Sequence, residues 1–198
     1  MIYSGIMSQT ATEGPRRHRL TVEDYYRMGE AGILAPDARV ELIEGEIIDM
    51  APPGSRHAGT VNQLTVLLQR GAGQGAIVQV QNPISLDRYS EPQPDLALLL
   101  PRADYYKSAL AKPNEVILVV EVADTTLRYD RDRKTGLYAR NGIAEVWLVD
   151  VRGERLTRYR DPAQGSYGRV DEPDLIGTRL AVDSLPDARF DLSALFAR

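Results

Sequence analysis

Val116-Ile117-Leu118-Val119-Val120-Glu121-Val122 decides the fold. Valine, isoleucine and leucine fill six of its seven places. That is the composition of a strand covered on both faces. Glu121 interrupts it. A carboxylate inside such a strand costs several kcal/mol, roughly, unless a cation or hydrogen bonds meet it. The stretch therefore predicts a partner opposite Glu121. Upstream, Pro94-Asp95 leads into Leu96-Ala97-Leu98-Leu99-Leu100, a second apolar strand. Proline fits a strand's first position, where its missing N–H costs least. Downstream, Tyr129-Asp130-Arg131-Asp132-Arg133-Lys134 opens a charged helix. Two carboxylates at the ends of neighbouring strands, with a lysine nearby, suit a divalent cation and the phosphate it polarises.

Outward from this centre the elements follow in turn. Thr21 is an N-cap candidate with Asp24 three places on, and Gly32 and Pro36 close the helix it starts. Residues 39–44 and 46–50 flank Gly45 as a hairpin. Its acidic cluster is Glu41, Glu44, Glu46 and Asp49, and alternation puts Glu44 and Glu46 on the face opposite Glu41. Ser55 is read as the N-cap of a helix to about Arg70, with Ala58, Val61, Leu64, Thr65 and Leu68 as its buried stripe. Gly71 to Gly75 reads as a stop, since it lacks the lysine and spacing of a phosphate loop. Strands are expected at 76–80, 95–100, 115–122, 145–150 and 156–159, a short one at 167–170 and the last at 175–182. A helix spans about 129–140 and ends at Asn141-Gly142. Residues 1–17 read as a mobile tail.

At 198 residues the chain is long enough for one domain with a substantial core. It has no cysteine, which removes disulfides, thiolate zinc sites and a cysteine nucleophile, and suits a reducing cytoplasm. Its apolar runs are far short of a membrane span. Ser55 and His57 do not make a hydrolase triad, because no Gly-x-Ser-x-Gly elbow is present. The net charge is −4, yet from Arg128 to Arg160 nine basic residues oppose five acidic ones. A local excess of that kind steers a phosphate backbone if it lines a cleft, and is a solvated surface if it does not.

Pro94-Asp95, Glu121-Val122-Ala123, Asp130 to Lys134 and Tyr138 to Asp150 together resemble the Uma2 family of restriction-endonuclease-like proteins, within the PD-(D/E)XK nuclease superfamily. Glu41 to Glu46 and His57 extend the likeness, which covers roughly residues 18–162. The chain departs from the superfamily pattern at Ala123, where the (D/E)XK tripeptide carries lysine. Lys134, on the following helix, matches the place to which Uma2-like chains move it. The resemblance implies an α/β, restriction-endonuclease-like core over residues 18–198, with a mixed, mostly antiparallel sheet flanked by helices.

It also implies an activity: metal-dependent hydrolysis of DNA. Asp95 and Glu121 are expected to hold Mg2+ or Mn2+, with Lys134 orienting water or stabilising charge. Glu41, Glu46, His57 and Tyr138 are expected as accessory groups, the glutamates alternatively as structural partners of an arginine. Arg131, Arg133 and Arg140 are candidate nucleic-acid contacts, and a homodimer is implied. Two other readings stay open. One is a nuclease fold that binds nucleic acid or a partner without cutting. The other is an interaction protein whose Asp95 and Glu121 are paired with Arg131 or Arg133.

Overall fold

A computed structural model describes residues 17–197. The expected mobile tail therefore lies, apart from Arg17, outside the described residues. Helix α1 is Val22–Glu30. Thr21 caps it reciprocally: its hydroxyl accepts from Asp24 N at 3.1 Å, and the Asp24 carboxylate accepts from Thr21 N at 2.9 Å. Strands β1 (Val40–Ile43) and β2 (Glu46–Asp49) form the hairpin around Gly45. Both turn residues, Glu44 and Gly45, have positive φ, which gives the twist a two-residue hairpin turn requires. A Cβ at Gly45 would also fall 2.9 Å from the Arg19 backbone.

Helix α2 is Ser55–Ala72. Its N-cap is Gly54 rather than the expected Ser55, and it runs past Arg70 through Gly71. The glycine that reads as a stop is a packing residue. A Cβ there would lie 2.3 Å from the Phe190 ring, so only glycine lets the helix pass so close. Gly73 ends the helix.

The main sheet has six strands in the order β3-β4-β5-β6-β7-β8. They are β3 (Ile77–Val80), β4 (Leu96–Leu99), β5 (Val116–Ala123), β6 (Glu145–Asp150), β7 (Arg155–Ala163) and β8 (Ser166–Asp171). Among the described residues only β5 and β6 pair in parallel; the other pairs of this sheet are antiparallel. The β5–β6 crossover carries α3 (Leu127–Tyr129), a π-helical turn at Asp130–Lys134 and α4 (Thr135–Arg140). The helix expected over 129–140 is thus present, with a wider turn inside it.

Beyond the sheet, β9 (Arg179–Val182) and β10 (Leu185–Asp191) form a separate hairpin. This corrects the expected last strand at 175–182. Pro186 and two aspartates hide β10 in the sequence, and the strand tolerates Pro186 because it pairs only with β9. Likewise β7 and β8 are longer than expected and join as one hairpin through residues 164 and 165.

Two apolar layers enclose the sheet. On one face Val61, Leu64 and Leu68 of α2 pack with Val120, Val122, Trp147 and Phe190. Trp147 is fully buried and meets Phe190 edge-on at 5.7 Å between centroids. On the other face Leu137 and Tyr138 of α4 pack with Ile43 of the first hairpin, Val119 and Val146. No helix among the described residues is long and apolar enough to cross a membrane.

Candidate active site

Strand alternation assigns the charged groups to one face. Val120 and Val122 point to the α2 layer, so Glu121, between them, points to the α4 layer. Leu96 pairs with Val120 across β4 and β5. Asp95, one place before Leu96, therefore lies at the same end of the sheet as Glu121. Its carboxylate accepts from Val122 N at 2.9 Å, which continues the β4–β5 ladder through a side chain. His57, in the first turn of α2, approaches the same carboxylate at 3.1 Å through Nε2.

Glu121 is 3% exposed. The partner that its strand predicts is twofold. The Tyr138 hydroxyl donates to its Oε1 at 2.6 Å, and Lys134 Nζ lies 3.3 Å from the same oxygen. Lys134 is itself buried and lies 3.1 Å from Glu41 Oε2. Glu41 is fixed in turn by Gln93 N, which donates to it at 3.1 Å. The lysine thus bridges the first hairpin and the central strand. Arg131 and Arg133 are not the partners of Asp95 and Glu121.

Four carboxylates meet here, and burial raises the proton affinity of two of them, Glu121 and Asp130. Burial pushes Glu121 up to about 8 against the pull of Lys134, and Asp130, Asp95 and Glu41 push the same way. Burial also raises Asp130. For Lys134 burial works against the ammonium, but Glu121, Glu41 and Asp130 outweigh it, so its affinity for the proton rises. The hydrogen bond to Asp95 raises His57.

These groups line a cavity of about 450 Å³. Its wall includes Glu41, His57, Asp95, Glu121, Asp130 and Lys134, together with Tyr129 and Met50. Asp130 and Lys134 stand four places apart, the spacing of an ordinary helix-surface ion pair. In the structure Asp130 is buried and accepts from Thr126 Oγ1 at 2.5 Å, while Lys134 turns to the glutamates. The π-helical turn that carries Asp130 is not visible in the charge pattern.

The other expected residues lie elsewhere. Glu46 is not in the cavity wall and accepts from Arg133 at 2.5 Å and Arg17 at 3.3 Å. Arg140 donates to Glu44 at 2.5 Å, and Arg131 pairs with its neighbour Asp132. Glu44 and Glu46 thus clamp the hairpin onto the helix that carries Lys134. Tyr138 does not line the cavity and reaches it only through Glu121.

Among the described residues no three Asp, Glu or His side chains are gathered as a ready metal-ligand set. Two carboxylates from neighbouring strands nevertheless open on one cavity. All-oxygen donors suit a small hard cation that keeps much of its shell as water.

The site is therefore a lysine–carboxylate cluster at one end of a mixed sheet with one parallel pair. The crystal structure described as a putative nuclease belonging to DUF820, from Anabaena variabilis, matches with a TM-score of 0.68 at 15% identity. The match covers 90% of this chain and 98% of that one. The model of the Uma2 family, described as "Putative restriction endonuclease", matches residues 22–193, and the chain belongs to this family. No curated protein matches it. The fold class and the family read from the sequence both hold.

Proposed function

We propose that this chain is a metal-dependent endonuclease that hydrolyses phosphodiester bonds of DNA. The observation that carries the reading is Lys134 Nζ, 3.3 Å from Glu121 in a cavity that Asp95 also lines. Asp95 and Glu121 would hold Mg2+ or Mn2+. The metal, when bound, lowers the pKa of water and offsets charge on the phosphoryl group.

The chain's own residues do the rest. Lys134 keeps its proton and presents a compact positive charge to the phosphate oxygens. Glu41 fixes the lysine stem from the hairpin side, and Tyr138 holds Glu121 in one rotamer by donating to Oε1. His57 orients Asp95 through Nε2. Residues 18–198 act as one nuclease domain in this reading. The cysteine-free composition supports a cytoplasmic chain, and the likeness to restriction endonucleases favours a homodimer.

The test is cleavage of supercoiled and linear DNA with Mg2+ or Mn2+, with and without chelator, for wild type, Glu121→Gln and Asp95→Asn. Chelator-sensitive cutting that both variants lose is expected. Wild-type activity in either variant would refute the assignment.

A further inference from the structure

The basic stretch from Arg128 to Arg160 has a net charge of +4 in the sequence, but the fold largely neutralises it. Arg133 and Arg140 are held by the hairpin glutamates. Arg152 is held by Asp124, and Arg158 and Arg160 by Asp171. A protein that tracks a duplex needs several cations free for successive phosphates. Most of these are engaged within the chain.

The cavity points the same way. Its reacting groups are recessed rather than raised: the Glu121 and Lys134 side chains are only 4% and 7% exposed. Phosphates of an intact duplex lie on the outside of a stiff cylinder and cannot follow a cavity inward. The volume, about 450 Å³, falls among small-ligand sites, which run roughly 300–1,000 Å³. Part of the wall is also apolar. Met50, Pro52, Pro53 and Tyr129 are among its lining residues, and apolar and aromatic side chains of that kind stack a base. The Tyr129 hydroxyl is buried with no hydrogen-bond partner among the described residues, so a donor and acceptor is left for whatever enters. Arg39, exposed and without an ion pair among the described residues, stands at the same wall.

We infer that the cavity takes one unpaired nucleotide, with its base against Tyr129 and Met50 and its phosphate towards Lys134. The substrate class is then single-stranded or locally opened DNA rather than intact duplex. This rests on the nuclease reading and narrows its substrate. Few phosphates are engaged, so the salt dependence of binding is shallow, about −0.7 in log–log slope per phosphate.

The experiment measures fluorescence anisotropy of labelled DNA with the full Glu121→Gln protein in Mg2+. A single strand, the matching duplex and the same duplex with an internal unpaired loop are compared, and wild-type cleavage of the three is followed separately. The single strand and the looped duplex are expected to bind at least about tenfold more tightly than the intact duplex. Adding Tyr129→Ala or Met50→Ala, each checked for native circular dichroism, lowers single-strand affinity by about tenfold and leaves duplex binding unchanged. Equal or tighter binding of intact duplex overturns the inference. So does unaltered single-strand affinity in both variants, or binding to none of the three. If wild type cuts intact duplex as fast as single strand, the inference falls and the nuclease reading stands. If it prefers the single strand but never cuts, the nuclease reading falls and the ligand assignment stands.

Discussion

On β5, Val120 and Val122 meet α2 and the β9–β10 hairpin, while Val119 and Glu121 meet α4 and the β1–β2 hairpin. The first layer is apolar throughout its centre. Trp147 and Phe190 fill it, and even a glycine of α2 is reserved for the approach of Phe190. The second layer starts apolar at Leu137 and Val146. It turns polar at the end where Glu121, Lys134, Glu41 and Tyr138 meet. One strand thus serves packing on one side and chemistry on the other, and a period of two separates the tasks. Changes on the first face should register as lost stability, and changes on the second as lost activity.

Trp147→Ala gives the largest effect. Removing a fully buried indole costs about 3–5 kcal/mol, read by urea denaturation. A loss below about 1 kcal/mol would mean the α2 layer is not the main core. Next, Lys134→Ala lowers metal-dependent cleavage by about a hundred- to thousandfold. Circular dichroism should stay native, because Glu121 and Asp130 take up protons in place of the lost cation. Unfolding of this variant would erase the division between the faces.

The third effect is a pH dependence. The folded Glu121 carboxyl titrates near 8, above its ordinary 4.5, so the folded state binds the proton more tightly. Its contribution to stability is present below about 4.5 and is lost as pH rises towards about 8. Asp130 and His57 are raised too and act in the same direction. Melting temperature should therefore fall across that window in wild type, and less steeply in Glu121→Gln. Mg2+ binding, which needs Glu121 ionised, should strengthen over the same range and release a proton. The smallest effect is that of Glu46→Gln. This half-exposed, solvent-screened clamp to Arg133 should leave the urea midpoint almost unmoved, and metal binding in the variant should match wild type.

Much of this architecture is legible in the sequence because it is local. β5 and β6 are near-continuous apolar runs, α2 carries a clear stripe, and Thr21 with Asp24 announces α1. Glu121 declares itself because a lone acid in a buried strand demands a partner, and the resemblance points to Lys134. What the sequence conceals is long-range. Arg133 and Arg140 read as free cations until the hairpin folds over them. Gly71 reads as a helix stop until Phe190 arrives from more than a hundred residues away. β10 hides behind Pro186, and Asp130 looks like surface charge until the crossover helix widens beneath the first hairpin.

The wider turn at Asp130–Lys134 bears on how such chains tolerate insertion and deletion. A π-helical turn closes i→i+5 hydrogen bonds where a regular helix closes i→i+4, so it holds one residue more. Deleting exposed Asp132 gives the segment an easy way to tighten into an ordinary helix, so the change need not disturb the rest of the molecule. Yet one residue is about 100° of rotation around a helix axis. The deletion would swing Asp130 out of line with Lys134 and Tyr138. Counting residues between motifs is thus a poor ruler for this site, and the spacing from Glu121 to Lys134 has meaning only with the local winding of the helix beside it.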